Sequence, residues 1–285
     1  MFLRCLALAA VWTSLSVYAA PVAESAPLLA AAETFTYREA APESLRISVL
    51  KPAGWSARDR RTALVFFFGG GWTHGTPERS AAWAKFAASA GMVGIMPDYR
   101  TKDKFGTTPL EAVADSRAAL RWVQDHATEL GVAPDRIVVG GDSSGGHIAL
   151  WTAITATPPG SSASEAPRAK PAALLLCSTV SDTSPETGYT PFRFGADALA
   201  LSPLHHLEAT MPPVLAFHGD ADRTVPFRQA LALRDKLSAG GNVCELVAVP
   251  GGDHGFLNER PEWRERAQNN VREFLIKRGL LEPSR

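Results

Sequence analysis

One serine lies where an apolar run gives way to a helical pattern. Residues 136–140 read RIVVG, and residues 141–145, which follow directly, read GDSSG. The spacing G-x-S-x-G between a strand and a helix is typical of a nucleophile elbow, a sharp turn that exposes the serine hydroxyl. Ser143 is therefore the candidate nucleophile of a covalent mechanism.

A serine hydroxyl is a weak nucleophile and needs a base that is itself oriented by an acid. In elbow enzymes the acid and then the histidine follow the serine along the chain. Asp220 and Asp222 come after the apolar run 214–218, and His254 comes after the run 243–249. Because the carboxyl ends of parallel strands meet at one edge of a sheet, we expect His254 and one of these acids to lie near Ser143.

Three glycines in a row provide a candidate oxyanion hole. Gly69, Gly70 and Gly71 follow the apolar run 63–68. Main-chain N–H groups in such a loop can be aimed at the negative oxygen of a tetrahedral intermediate. The residue after the nucleophile, here Ser144, contributes another N–H in this mechanism.

Short apolar runs alternate with longer segments of helical period, and this alternation predicts an α/β fold with a mostly parallel sheet covered on both faces. The predicted strands are 35–39, 45–50, 63–68, 92–97, 136–140, 172–177, 214–218 and 243–249. The predicted helices are 79–90, 110–129, 144–156, 227–239 and 261–277. Residues 178–211 form a long polar connection, which we interpret as a small lid-like insertion.

The amino terminus has the features of a secretory signal peptide. Arg4 precedes the apolar run 5–17, and a small-residue cleavage site ends at Ala19. We therefore expect residues 1–19 to be removed, residues 20–285 to form a single exported domain, and the domain to have no membrane partner. The 285 residues include 29 Lys+Arg and 29 Asp+Glu. Without a basic surplus, a nucleic-acid partner is not expected.

The motifs, taken together, resemble those of the α/β-hydrolase superfamily, and within it the secreted bacterial esterases with an HGGG-type loop. The shared motifs, in order, are GGGW (69–72), DYR (98–100), GDSSGG (141–146), GDADRTVP (219–226) and GGDHGF (251–256). The resemblance implies an α/β-hydrolase fold, an eight-stranded sheet and a carboxylesterase activity without a cofactor or metal.

The resemblance also assigns roles to individual residues. It implies the catalytic triad Ser143, Asp222 and His254. Asp220 is then expected to brace its turn through main-chain amides. The resemblance implies an oxyanion hole formed by Gly70, Gly71 and Ser144. The chain departs from the family pattern at Phe68, where the family has a histidine that steadies the glycine loop.

The substrate is less defined than the chemistry. The resemblance favours short acyl esters, among them acetyl groups on carbohydrate. The insertion 178–211 agrees with this, because it is too polar and too interrupted by prolines to form a lid helix of the lipase type. Aromatic residues near the expected site are candidate substrate contacts: Trp72, Phe192, Phe194 and Phe256. A feruloyl-type esterase and a peptidase of the same fold are alternatives.

Two readings outside the hydrolases are also open. The glycines of residues 69–75, followed by Asp98, imitate a dinucleotide-binding fingerprint, which would make the protein an oxidoreductase. A catalytically silent hydrolase fold that binds carbohydrate is the non-enzyme alternative. The adjacent His205 and His206 have no further ligands at metal-binding spacing, so no metal site is expected.

Overall fold

The computed structural model describes residues 31–283, so the predicted signal peptide, residues 1–19, lies outside the described residues. The strands are β1 (Glu33–Arg38), β2 (Leu45–Leu50), β3 (Arg61–Phe67), β4 (Val93–Pro97), β5 (Val132–Asp142), β6 (Ala173–Cys177), β7 (Val214–Gly219) and β8 (Cys244–Val249). They form one sheet in the order β1-β2-β4-β3-β5-β6-β7-β8. Only the β1–β2 and β2–β4 pairs of this sheet are antiparallel. The prediction of an eight-stranded, mostly parallel sheet is confirmed.

Seven α-helices cover the sheet or connect its strands within residues 31–283. They are α1 (Ala81–Ser89), α2 (Lys102–Phe105), α3 (Pro109–Asp125), α4 (Ser144–Trp151), α5 (Arg228–Ala239), α6 (Phe256–Glu259) and α7 (Pro261–Lys277). Side chains alternate between the two faces along each strand, and helices bury both faces of the central strands. Val65 of β3 packs in the cluster with α3, α4 and α5, whereas Phe66 packs in the cluster with α1 and α7.

The start of α3 and the end of α4 differ from the sequence prediction, and at each of them side chains bond the backbone groups that the helix end leaves unpaired. Helix α3 begins at Pro109 because Thr108 and Glu111 form a capping box. Helix α4 ends at Trp151 rather than at 156, and the buried guanidinium of Arg117 donates to the carbonyls of Trp151 and Ile154 at 2.9 and 2.6 Å. The short helices α2 and α6 were not predicted.

The connection after β6 lies over the carboxyl edge of the sheet. The segment 178–211 contains three 3₁₀ turns, Pro191–Arg193, Gly195–Asp197 and Pro203–His206, and no α-helix. Arg193 donates to the carbonyl of Gly71 at 2.8 Å. The insertion is thus anchored on the glycine loop after β3. Across residues 31–283, no helix has the length and apolar character that would be needed to span a membrane.

Candidate active site

The turn between β5 and α4 holds Ser143 in an unusual backbone conformation. Its φ and ψ are 54° and −118°, a region that residues with a side chain rarely adopt. A Cβ on Gly141 would lie 2.3 Å from the Gly145 backbone, and one on Gly145 would lie 2.3 Å from the carbonyl oxygen of Phe67. Only glycine fits at both positions, so the G-x-S-x-G spacing is what allows the sharp turn. The nucleophile elbow is present.

Three residues from three loops meet at this edge in a continuous hydrogen-bonded chain. His254 Nε2 lies 3.0 Å from Ser143 Oγ, and His254 Nδ1 lies 2.8 Å from Asp222 Oδ2. An ionised carboxylate only accepts, so Nδ1 has the proton and Nε2 accepts from the serine hydroxyl. Ser143, Asp222 and His254 therefore have the geometry of a Ser-His-Asp triad.

The Asp222 carboxylate is fixed by three hydrogen bonds and by a close contact with a second imidazole. Its Oδ1 accepts from the main-chain amides of Thr224 and Val225, each at 2.8 Å. Its Oδ2 accepts from His254 and lies 3.2 Å from Nε2 of the buried His218. That nitrogen also lies 2.8 Å from the carbonyl of Val225, which can only accept, so the ring hydrogen of His218 is on Nε2. The single Nε2–H of His218 is therefore shared between the Val225 carbonyl and the acid.

Charges around the triad set the pKa values of its members. Burial alone would raise the pKa of Asp222, but the hydrogen bonds from His218 and His254 outweigh it and hold this pKa well below its usual range. Burial lowers the pKa of His254, but the hydrogen bond to Asp222 and the charge of Asp142 raise it above its ordinary value. Burial raises the pKa of Asp142, the residue before the nucleophile, to about 6.

Two further carboxylates tie the loop of the acid to the loop of the histidine. Asp220 Oδ1 accepts from the Gly251 amide at 2.7 Å, so Asp220 braces a turn, as the sequence analysis expected. Asp253 accepts from the amides of Arg223 and His254 at 3.1 and 2.8 Å. Sequence reasoning did not assign Asp253 or Asp142, although both directly precede a triad residue.

The glycine loop after β3 approaches the elbow, but Gly70 does not have its predicted role. The Gly70 N–H donates to Ser144 Oγ at 3.0 Å and is therefore not free to stabilise an oxyanion. The amides of Gly71 and Ser144 make no hydrogen bond within residues 31–283. The structure thus removes Gly70 from the expected oxyanion hole and makes it an anchor of the loop, whereas the roles of Gly71 and Ser144 stay predictions.

Most of the predicted aromatic contacts are part of the core. Trp72, Phe194 and Phe256 are 2%, 6% and 1% exposed. The Trp72 and Phe194 rings pack edge to face at 4.9 Å, and both contact His147. Protein covers the rings of Trp72 and Phe194, so the structure corrects the prediction that these two contact a substrate ring. Phe256 lines a cavity that His254 also lines, and its predicted substrate contact stays a prediction. Phe192 is 78% exposed and stays a prediction.

A cavity of about 60 Å³ lies beside the histidine of the triad. Phe66, Trp83 and Phe256 contribute to its apolar wall. Arg79 and Asp142 add two charged side chains to the lining. Within residues 31–283, no group of three or more His, Cys, Asp or Glu side chains is placed to hold a metal ion.

A mostly parallel sheet with a Ser-His-Asp triad at the carboxyl ends of its strands defines the α/β-hydrolase class of proteins. A family model described as the alpha/beta hydrolase fold matches residues 64–258. The chain belongs to this family.

Relatives and solved structures agree with this assignment. Esterase 2 of Thermogutta terrifontis superposes with a TM-score of 0.83 at 36% identity, covering 90% of this chain and 98% of that one. Carboxylesterase NlhH of Mycobacterium tuberculosis is 41% identical over 93 residues, which are 32% of this chain and 28% of the relative. The probable carboxylic ester hydrolase LipM of the same species is 28% identical over 68% of this chain and 50% of its own length. The chain thus spans half or less of these two curated relatives.

Proposed function

We propose that the protein is a carboxylesterase that hydrolyses esters of short acyl groups through an acyl-enzyme on Ser143. The observation that carries the proposal is the continuous chain Ser143 Oγ, His254, Asp222, with contacts of 3.0 and 2.8 Å. Such a chain supplies an activated nucleophile without a cofactor.

In the proposed reaction, Ser143 Oγ attacks the ester carbonyl carbon while His254 Nε2 takes the hydroxyl proton. Asp222 stabilises the imidazolium that forms and keeps the ring oriented. The carbon–alkoxide bond then breaks, and His254 returns the proton to the departing alcohol. A water molecule attacks the acyl-serine in the same way, which releases the carboxylic acid and restores the Ser143 hydroxyl.

The negative oxygen of both tetrahedral intermediates needs donors that are in place before it forms. The amides of Gly71 and Ser144 are the available groups, because neither is engaged elsewhere in the described residues. Ser144 is the first residue of α4, so the positive end of this helix also favours an anion there.

Two observations support short acyl groups. The cavity beside His254 is small, and Arg79 and Asp142 interrupt its apolar wall. Since each buried methylene gives roughly 0.8 kcal/mol, a long-chain enzyme gains from a long apolar trench. Two structures of the similar Thermogutta terrifontis esterase hold propionate and butyrate, which are short acids.

We further propose that the enzyme is exported and that its substrates are esters of carbohydrates. A signal peptide over residues 1–19 would place the enzyme outside the cytoplasm, where acetylated polysaccharides are available as substrates. The exposed Phe192 lies in the insertion 178–211, and its ring is free to contact the alcohol part of such a substrate. Feruloyl esters and peptides are the competing substrates.

The experiment is a panel of p-nitrophenyl esters from acetyl to decanoyl, with acetylated xylan, a feruloyl ester and a peptide amide as further arms. We expect kcat/KM to be highest for the acetyl or propionyl ester, and acetate to be released from xylan. Ser143→Ala serves as the inactive control. A maximum at eight or more carbons would contradict the short-acyl proposal, and cleavage of the amide alone would indicate a peptidase.

A further inference from the structure

The side chain of Ser144 connects the nucleophile elbow to the glycine loop. Its Oγ accepts from the Gly70 N–H at 3.0 Å, and the side chain is fully buried. Ser144 also directly follows Ser143 and begins α4. The same residue that offers a main-chain N–H to the oxyanion therefore also fixes the neighbouring loop through its hydroxyl.

Tyr99 holds the other end of this loop. Its phenol donates to the carbonyl oxygen of Phe68 at 2.9 Å, and the two buried rings stack at 4.2 Å with 18° between their planes. Burial raises the pKa of Tyr99, and the adjacent Ser144 hydroxyl opposes this. The phenol is protonated at neutral pH and stays a donor.

The loop needs such anchors because of its backbone. Gly70 and Gly71 have φ values of 154° and 61°, conformations that glycine adopts readily but also leaves readily. Phe68, at the start of the loop, has no side-chain polar group with which to hold it. The guanidinium of Arg79 donates to the Gly69 carbonyl at 3.1 Å, on the preceding residue. The Gly70 amide itself is held by Ser144.

We propose that the Ser144 hydroxyl and the Tyr99 phenol are positioning residues, which together hold Gly71 N–H at the oxyanion. The inference rests on the proposed esterase function and deepens it. The Ser144 hydroxyl accepts the Gly70 N–H, so Gly70 cannot act as a third donor to the oxyanion. The Ser144 hydroxyl therefore affects the rate only through how well it fixes the glycine loop. If an oxyanion donor is misplaced by a fraction of an ångström, the enzyme loses more binding energy to the transition state than to the bound ester.

The test compares wild type with Ser144→Ala, Tyr99→Phe, the double variant and Ser116→Ala. Ser116 is a matched control, a buried serine whose hydroxyl lies within hydrogen-bond distance of the carbonyls of Val113 and Ile148. The readouts are kcat and KM for p-nitrophenyl acetate, and the inhibition constant of a trifluoromethyl ketone, which forms an oxyanion on Ser143.

For Ser144→Ala we expect kcat to fall about tenfold, less than the roughly 10²–10³-fold cost of deleting a donor outright. KM should change little, and the ketone should bind more weakly in proportion to the loss of kcat. Tyr99→Phe should cost about threefold, and the double variant no more than Ser144→Ala alone, because both act on one loop. Ser116→Ala should leave kcat unchanged.

Amide hydrogen exchange at Gly70, measured by NMR, tests the anchor without any substrate. Exchange should be at least about tenfold faster in Ser144→Ala than in wild type, because the hydrogen bond is lost. Unchanged exchange, or a kcat that stays equal or rises when Gly70 N–H is released, would overturn the positioning role. A wild type that cleaves no ester, with protected Gly70, would reject the proposed function and leave the anchor intact.

Discussion

The buried imidazole of His218 lies 3.2 Å from Asp222 Oδ2, the same oxygen that accepts from His254. His218 belongs to β7, whereas Asp222 lies in the loop that follows it, so the strand end itself fixes the acid. The acid of the triad is therefore oriented by a second histidine in addition to its backbone donors.

His218→Gln is expected to lower kcat about tenfold, because a hydrogen bond to a charged group is worth roughly 1.5–3 kcal/mol and only part of this is lost at the transition state. KM should stay within about twofold. The assay is steady-state hydrolysis of p-nitrophenyl acetate. His205→Gln is the control, since His205 bonds Ser202 away from the triad. Equal kcat values in the two variants would contradict the orienting role of His218.

The two neighbouring acids should differ sharply when each is replaced by its amide. Asp222→Asn should reduce kcat/KM by about 10⁴, since an amide cannot hold the required histidine tautomer. Asp220→Asn should cost far less, because Asp220 accepts a single main-chain bond from Gly251. Measured on one ester, the opposite order would assign the acid to Asp220.

Asp142 should shift the pH dependence of the reaction. Its negative charge raises the pKa of His254. The reaction needs neutral His254, so kcat/KM falls as the pH drops through that pKa. Asp142→Asn removes the charge and lowers this pKa, so the acidic limb of the pH profile should move to lower pH by up to about one unit.

The matched control for this profile is Asp135→Asn, whose side chain is 76% exposed. Its acidic limb should coincide with that of wild type. A limb in Asp142→Asn that stays in place, or that moves to higher pH, would show that Asp142 does not act on His254 through its charge.

The insertion 178–211 offers a direct comparison of two phenylalanines. Phe194→Ala removes a buried ring that packs on Trp72 and His147, and should lower the free energy of unfolding by about 3 kcal/mol or more. Phe192→Ala removes an exposed ring and should change it by less than about 0.5 kcal/mol. Urea unfolding followed by circular dichroism measures both. Similar losses would contradict the packing described for the insertion.

The sequence was sufficient to predict the parallel sheet and to predict that His254 and an acid lie near Ser143. Short, nearly continuous apolar runs such as 63–68, bounded by turn residues, are typical of strands covered on both faces, and the glycines around Ser143 restrict the backbone. The helices α2 and α6 were missed because four residues contain too little of a helical period.

Contacts between distant loops were harder to predict. Nothing in the spacing of residues shows that Gly70 N–H points to Ser144 rather than to a substrate. Exposure in a loop such as 178–211 is also not encoded by residue type, since Phe192 and Phe194 are chemically identical and only one is buried. These features depend on how the loops pack together.

Replacement of the nucleophile tests the central claim most directly. Hydrolysis of p-nitrophenyl acetate should fall by at least about 10⁴ in Ser143→Ala, because the remaining groups cannot form an acyl-enzyme. The circular dichroism spectrum should match that of wild type, and Ser116→Ala should keep full activity. If Ser143→Ala retained more than about a tenth of the wild-type kcat, a loss far smaller than triad residues show, Ser143 would not be the nucleophile.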